Sequence, residues 1–164
     1  MAPLVLTLLI IGAIVASFMG IQPLASVKDK AIALITDPFI IDEEEVQALE
    51  SKVIALVNEV REENGLAPLE RNSFLDTLAR EHCDYMKSAN LCNHDGFYSR
   101  ADQIMQTLGA YYVGENIADG YYSASSLVEG WLDSPRHRAN ILDSGFTKTG
   151  IGYVDGYACQ TFSD

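Results

Sequence analysis

The chain has little positive charge. Its 164 residues include 11 lysines and arginines against 23 aspartates and glutamates, for a formal net charge of -12. Nucleic acid and anionic lipid surfaces repel a protein with this balance of charge. The composition therefore excludes nucleic acid as an electrostatically bound partner, and an acidic surface of this kind keeps a protein dispersed in solution.

Cysteine and histidine are scarce, with three residues of each type. In an exported protein, Cys83, Cys92 and Cys159 allow at most one internal disulfide and leave a spare thiol. Cys83 and Cys92 are close enough in sequence to pair, and the alternative is that all three are small buried hydrophobic residues. The chain also has no His-Glu-x-x-His helix and no serine or cysteine in a recognisable nucleophile motif, so the sequence predicts no catalytic residue.

Internal repeats and low-complexity segments are absent too. Hydrophobic residues make up 48% of the chain and charged residues 21%. These values are close to those of average globular proteins and exclude intrinsic disorder. The length allows one compact domain with an appendage.

Charged residues are missing altogether before Lys28. The segment 4–19 is almost entirely aliphatic, and apolar residues continue to Val27. About 20 such residues form a helix of about 30 Å, the thickness of the hydrocarbon layer of a membrane. Residues 1–27 are therefore predicted to be a transmembrane anchor. The alternatives are a signal peptide cleaved near Val15-Ala16-Ser17 and a buried core helix.

The composition from residue 28 to residue 46 becomes mixed and then acidic, which predicts a spacer. Its acidic run, Asp42-Glu43-Glu44-Glu45, lies where carboxylates stabilise the positive end of a helix dipole. Apolar residues then recur at three- and four-residue steps from Val46 to Val60. This pattern predicts a helix that ends at Asn64-Gly65, a pair suited to a left-handed cap.

Four further helices and three strands are predicted after this point. The first two helices run from Asn72 to Asn90, with His82 as a packing residue, and from Ala101 to Leu108. The third passes through Trp131 and opens with a capping box formed by Ser126 and Glu129. The fourth is short and runs from Ser134-Pro135 to Leu142. The strands are Tyr111 to Val113, Thr149 to Val154 and Tyr157 to Phe162, the last two forming a hairpin about Asp155-Gly156. Helices before antiparallel strands predict an α+β fold.

Several short motifs follow one another through the last two thirds of the chain. They are Gly65-Leu66-Ala67-Pro68-Leu69, His94-Asp95-Gly96-Phe97, Gly114-Glu115-Asn116-Ile117-Ala118, Ser134-Pro135-Arg136-His137-Arg138-Ala139-Asn140, and Thr149-Gly150-Ile151-Gly152-Tyr153. In this order they resemble the CAP superfamily of cysteine-rich secretory, antigen 5 and pathogenesis-related proteins, in its short prokaryotic SCP-domain form. The resemblance places a CAP/SCP domain at residues 47–164.

The resemblance implies a three-layer α-β-α sandwich with a central antiparallel sheet and an open cavity beside it. In the family, two histidines and two acidic residues line this cavity. His94 and His137 match the histidines, and Glu115 matches the acidic residue of the Gly-Glu-Asn motif. Ser134 takes the position of the second acidic residue, so the expected cavity keeps two imidazoles and one carboxylate.

Two imidazoles and one carboxylate, with a fourth position left for water, suit zinc. We expect His94, His137 and Glu115 to bind zinc or another divalent metal weakly, because Ser134 replaces a charged ligand with a neutral one. Such a site is also able to activate water.

Three classes of function are compatible with these features. The preferred one is a membrane-anchored or secreted binding protein whose cavity holds a divalent metal and a small or lipidic ligand. The alternatives are a zinc-dependent hydrolase that acts on peptides or cell-envelope material and a structural subunit with a vestigial cavity. Family members are usually exported, which places the domain outside the cytoplasm, although Lys28 and Lys30 alone favour the opposite orientation.

Overall fold

The computed structural model of the chain describes residues 42–164. The predicted anchor or signal segment, 1–27, and most of the predicted spacer, 28–46, lie outside the described residues. The last four spacer residues, 43–46, are helical, so the folded domain begins at residue 43 and not at the predicted residue 47. Among the helices of the described part, none is long and apolar enough to cross a membrane.

Five helices and four strands make up residues 42–164. The helices are α1 (Glu43–Glu63), α2 (Ser73–Ala89), α3 (Phe97–Leu108), α4 (Ala124–Asp133) and α5 (Pro135–Ile141), and the strands are β1 (Glu70–Arg71), β2 (Val113–Ala118), β3 (Lys148–Val154) and β4 (Tyr157–Ser163). The order of strands in the sheet is β1-β3-β4-β2. β2 therefore forms one edge of the sheet.

Local sequence signals determine the ends of α2. The side chain of Asn72 accepts hydrogen bonds from the backbone N–H groups of Phe74 and Leu75, and Asn90 closes the helix in the left-handed conformation. Asparagine suits both positions, because its side chain caps free N–H groups and its backbone tolerates a positive φ. The predicted boundaries of this helix are confirmed.

The β3–β4 hairpin turns at Asp155 and Gly156, whose φ angles are 49° and 87°. Two consecutive positive φ angles define the turn that matches the twist of antiparallel strands, and Asp-Gly adopts it readily. β4 then pairs with β2 in antiparallel register, which places Glu115 opposite Thr161. The predicted antiparallel sheet is confirmed, and the two-residue strand β1 adds one parallel pairing to β3.

Helices cover both faces of the sheet. α2 packs directly on β3, where a Cβ atom at Gly150 or Gly152 would overlap the α2 backbone. Trp131 of α4 lies on the other face with 1% of its surface exposed, and its indole N–H donates to the Ile117 carbonyl. The predicted α+β sandwich is confirmed, and so is the role of Trp131 as a core residue.

Three predicted boundaries differ from the structure. The strand predicted at Tyr111 to Val113 begins only at Val113 and continues through Ala118, because β4 provides hydrogen-bond partners for the glycine-containing and polar motif. α3 begins at Phe97, one turn before the predicted Ala101, after Gly96 in the left-handed conformation. Local propensity alone does not reveal either effect.

The cap of α4 also differs from the predicted one. Ser123, and not Ser126, is the N-cap, and its hydroxyl accepts a hydrogen bond from the Ser126 backbone N–H. α5 begins with Pro135 at its first turn, as predicted, but the hydroxyl of Ser134 makes no capping hydrogen bond. Both serines therefore correctly indicated that a helix begins nearby, but neither forms the predicted capping hydrogen bond.

Candidate functional site

Glu115 lies at the centre of a polar cluster on the edge strand β2, and its side chain is only 2% exposed. The guanidinium of Arg100 donates from Nε to Oε2 at 3.0 Å, and from Nη2 to Oε1 at 3.0 Å and to Oε2 at 2.7 Å. A forked ion pair of this kind satisfies a buried carboxylate that would otherwise be costly to hold.

Arg100 was not identified as a site residue from the sequence. It lies in the first turn of α3, where a positive side chain is repelled by the positive end of the helix dipole. Such a misplaced charge is a signal that the side chain has a partner elsewhere. Here that partner is Glu115, and Arg100 also donates from Nη1 to the Asp95 carbonyl at 2.8 Å.

His94 contacts the same carboxylate from the solvent side. Its Nδ1 lies 2.8 Å from Oε1 of Glu115, and 53% of the side chain is exposed. Because an ionised carboxylate only accepts hydrogen bonds, Nδ1 carries the proton in this contact. With the proton on Nδ1, the neutral form of the ring has its lone pair on Nε2, on the far side of the ring from Glu115, where it is able to bind a metal or a hydrogen-bond donor.

His137 lies in the first turn of α5 and is half-buried. Burial, and secondarily the neighbouring His94, lower the pKa of His137. Its backbone carbonyl accepts a hydrogen bond from the Asn116 side chain at 3.1 Å, which ties α5 to β2. The structure thus places His94 against Glu115 and His137 close enough to His94 for their charges to interact.

His82 of α2 is the third histidine in this region. It is buried, as predicted for a packing residue, and its Nε2 lies 2.8 Å from the Asn93 carbonyl and 4.0 Å from Oε1 of Glu115. Burial lowers the pKa of His82 more than the nearby Glu115 raises it. His82 is therefore a neutral hydrogen-bond donor that supports the loop before α3.

Ser134 is the one predicted cavity residue that the structure does not connect to the others. It is half-buried between α4 and α5, and its backbone groups bond to Trp131 and Arg138. Within residues 42–164, its hydroxyl makes no hydrogen bond to His94, Glu115 or His137.

The three cysteines are free thiols, so the pairing of Cys83 with Cys92 is not formed. Cys83 donates to the Gly152 carbonyl. Cys92 is half-buried, and burial, followed by the neighbouring Asp119, raises the pKa of Cys92 to about 11. Cys159 lies 3.6 Å from Glu115, and burial raises the pKa of its thiol well above the usual value. None of these protonated thiols is prepared for nucleophilic attack.

A cavity of about 350 Å³ adjoins the cluster. The residues that line it are Glu81, His82, Tyr85, Asp95, Gly96 and Arg100. Arg100 and His82 line the cavity and also lie next to Glu115, which does not line it.

Only part of the predicted ligand set fits a divalent metal. His94 offers Nε2, but both oxygens of Glu115 are occupied by four hydrogen bonds from Arg100 and His94. In the described region, no group of three or more histidine, cysteine, aspartate or glutamate side chains is arranged to hold a metal ion. Glu115 does not fit as a ligand in this arrangement, and weak binding by the two histidines stays a prediction.

Related sequences identify the family of this chain. Residues 54–163 match the profile of the cysteine-rich secretory protein family, CAP. The uncharacterized protein YkwD of Bacillus subtilis is 38% identical over 119 residues, which are 71% of this chain and 46% of that protein. The uncharacterized membrane protein YlbC of the same bacterium is 34% identical over 116 residues, or 69% of this chain and 34% of that protein. The chain spans less than half the length of either relative.

Solved structures with the same fold include three bacterial proteins. An extracellular protein with an SCP domain from Bacillus anthracis has a TM-score of 0.67 and 26% identity, with 76% of this chain and 44% of that chain covered. A cysteine-rich secretory protein from Staphylococcus aureus has a TM-score of 0.67, 22% identity and coverage of 74% and 40%. An outer surface protein from Borrelia burgdorferi has a TM-score of 0.64, 21% identity and coverage of 76% and 96%. The last two similarities concern the fold alone.

Proposed function

Because the chain belongs to the cysteine-rich secretory protein family, CAP, we propose that it is an extracytoplasmic binding protein that catalyses no reaction. In this proposal, residues 1–27 anchor the protein in a membrane or direct its secretion. Residues 43–164 form the domain outside the cytoplasm that binds the ligand.

The orientation of His94 by Glu115 is the observation that carries the proposal. A buried, ionised carboxylate holds the Nδ1–H of an exposed imidazole at 2.8 Å. This contact selects one tautomer and presents Nε2 to solvent as an acceptor. His137 provides a second imidazole nearby. Two such groups suit a weakly bound divalent transition metal or the polar end of a small or lipidic ligand.

The surroundings of Glu115 keep this carboxylate from acting as a general base. A general base needs a free lone pair within reach of the proton that it removes. The carboxylate of Glu115 is enclosed by Arg100 and His94, and the nearby Cys159 is a buried, protonated thiol. Neither group is available to remove a proton or to attack a substrate.

The names of related proteins support a location outside the cytoplasm. One structural relative is described as an extracellular protein, and a sequence relative as a membrane protein. The uncharged, apolar segment before Lys28 agrees with export or anchoring.

Calorimetric titration of the full chain in detergent with zinc chloride tests the proposal. We expect weak binding that is lost in His94→Ala and in His137→Ala and kept in Tyr98→Ala, a variant of an exposed neighbour. Equal zinc affinity in all four proteins would contradict the site. Turnover of a peptide or ester panel that disappears in His94→Ala would contradict the absence of catalysis.

A further inference from the structure

We propose that Arg100 is a specificity-determining residue that acts as the resident cation of the site, pairing with Glu115 and so keeping this carboxylate from binding a divalent metal. The inference deepens the proposed function, since it concerns the same site. It differs from the prediction made from sequence, in which Glu115 is a metal ligand.

The first argument is the completeness of the ion pair. Arg100 uses Nε and Nη2 on both oxygens of Glu115, at distances between 2.7 and 3.0 Å. Both side chains are well shielded, at 12% and 2% exposed. A metal ion that approached Glu115 would have to displace three charge-assisted hydrogen bonds in a region of low solvent exposure, where they are strong.

The second argument is that Arg100 is itself held in place. Its Nη1 donates to the Asp95 carbonyl at 2.8 Å. Gly96, which has a φ of 74°, lies so close that a Cβ atom there would be 3.1 Å from Nη1. Because the loop before α3 is shaped around this guanidinium, the ion pair belongs to the folded domain and does not depend on a mobile surface side chain.

The third argument is the balance of charge. The charges of Arg100 and Glu115 cancel each other across their ion pair. The carboxylate therefore offers little net negative charge to a cation. A divalent cation gains little electrostatic attraction from such a site, whereas a neutral polar ligand enters without an opposing charge.

The position of Arg100 beside the cavity of about 350 Å³ makes the proposal testable. Shortening its side chain frees both oxygens of Glu115 next to this cavity, so we expect water or a metal ion to reach the carboxylate. The variant is Arg100→Ala in the full chain in detergent, titrated with zinc chloride. Its matched control is Arg138→Ala, which removes the same charge from an exposed position on α5.

We expect Arg100→Ala to tighten zinc binding by about tenfold or more, because a carboxylate joins the two imidazoles and a positive charge leaves. Arg138→Ala should stay within about twofold of the unmodified chain, since surface charges are screened. Adding Glu115→Gln to Arg100→Ala should remove the gain. Unchanged or weaker zinc binding by folded Arg100→Ala would overturn the proposal, because a purely structural arginine leads to that result.

Glu115→Gln alone provides a second test if Arg100→Ala does not fold. Since Glu115 is not a ligand while Arg100 holds it, and since glutamine still accepts the His94 N–H, zinc affinity should change by less than about threefold. A tenfold loss would overturn the proposal. These results are separable from the proposed function, which depends on His94→Ala and His137→Ala: a gain in Arg100→Ala without measurable binding by the unmodified chain supports the role of Arg100 and contradicts the metal site.

Discussion

Asn140 of α5 donates a hydrogen bond from its side-chain amide to Oδ1 of Asn116 on β2, at 2.8 Å. The same amide also donates to the Glu115 carbonyl, and Asn116 in turn donates to the His137 carbonyl. These three contacts connect the strand that carries Glu115 to the helix that carries His137. Asn116 and Asn140, which are not among the candidate ligands, therefore hold β2 and its Glu115 against α5 and its His137.

Replacing Asn140 with alanine should lower the free energy of unfolding by about 1–3 kcal/mol, because the buried side chain of Asn116 loses its donor. Chemical denaturation measures this change. Asn64→Ala is the control, since Asn64 makes its side-chain hydrogen bond at an exposed position. A loss no larger than that of the control would show that the asparagine pair does not hold α5.

Replacing Trp131 with alanine should cost about 3–5 kcal/mol, as expected when a large side chain is removed from a core. Trp131 is 1% exposed and also gives up its hydrogen bond to the Ile117 carbonyl. Denaturant titration followed by circular dichroism measures the loss. A value below about 1 kcal/mol would mean that the side chain does not pack as described.

Replacing Ser134 with glutamate restores an acidic residue at the position where the related family carries its second one. Zinc affinity should rise if the longer glutamate side chain reaches the imidazoles, because a carboxylate attracts a dication more strongly than a hydroxyl does. Ser134→Gln keeps the size of the new side chain without its charge and serves as the control in calorimetry. Equal affinities of the two variants would exclude Ser134 from the wall of the site.

Stability should fall as the solution becomes acidic through the histidine range. Burial depresses the pKa of His82 in the folded protein. The unfolded chain therefore binds more protons than the folded one, and the stabilisation present above the ordinary histidine pKa is lost as the pH falls towards the folded pKa. His82→Gln, which keeps a donor for the Asn93 carbonyl, should show a shallower decline of unfolding free energy between about pH 8 and pH 5. An identical slope in both proteins would contradict a neutral, buried His82.

The sequence predicted those elements whose signals are local. The ends of α2 depend on Asn72 and Asn90, and the β3–β4 hairpin depends on Asp155 and Gly156, residues whose own backbone preferences favour these conformations. The start of β2 was predicted less well, because its extent is set by pairing with β4, which is distant in sequence. The motifs that resemble the CAP family identified the fold and brought His94, Glu115 and His137 forward as candidates.

Only the tertiary structure decided what Glu115 does. The sequence predicted that a carboxylate and two imidazoles belong to one site, since their motifs occur in the order typical of the family. It did not show that Arg100, 15 residues before Glu115 in the chain, forks across both carboxylate oxygens. This contact depends on how α3 packs beside β2, and a long, flexible side chain acquires a unique partner only when burial removes water as the alternative. Local motifs therefore predicted the candidate site residues, whereas the pairing of the Glu115 charge with Arg100 depends on packing between separate segments of the chain.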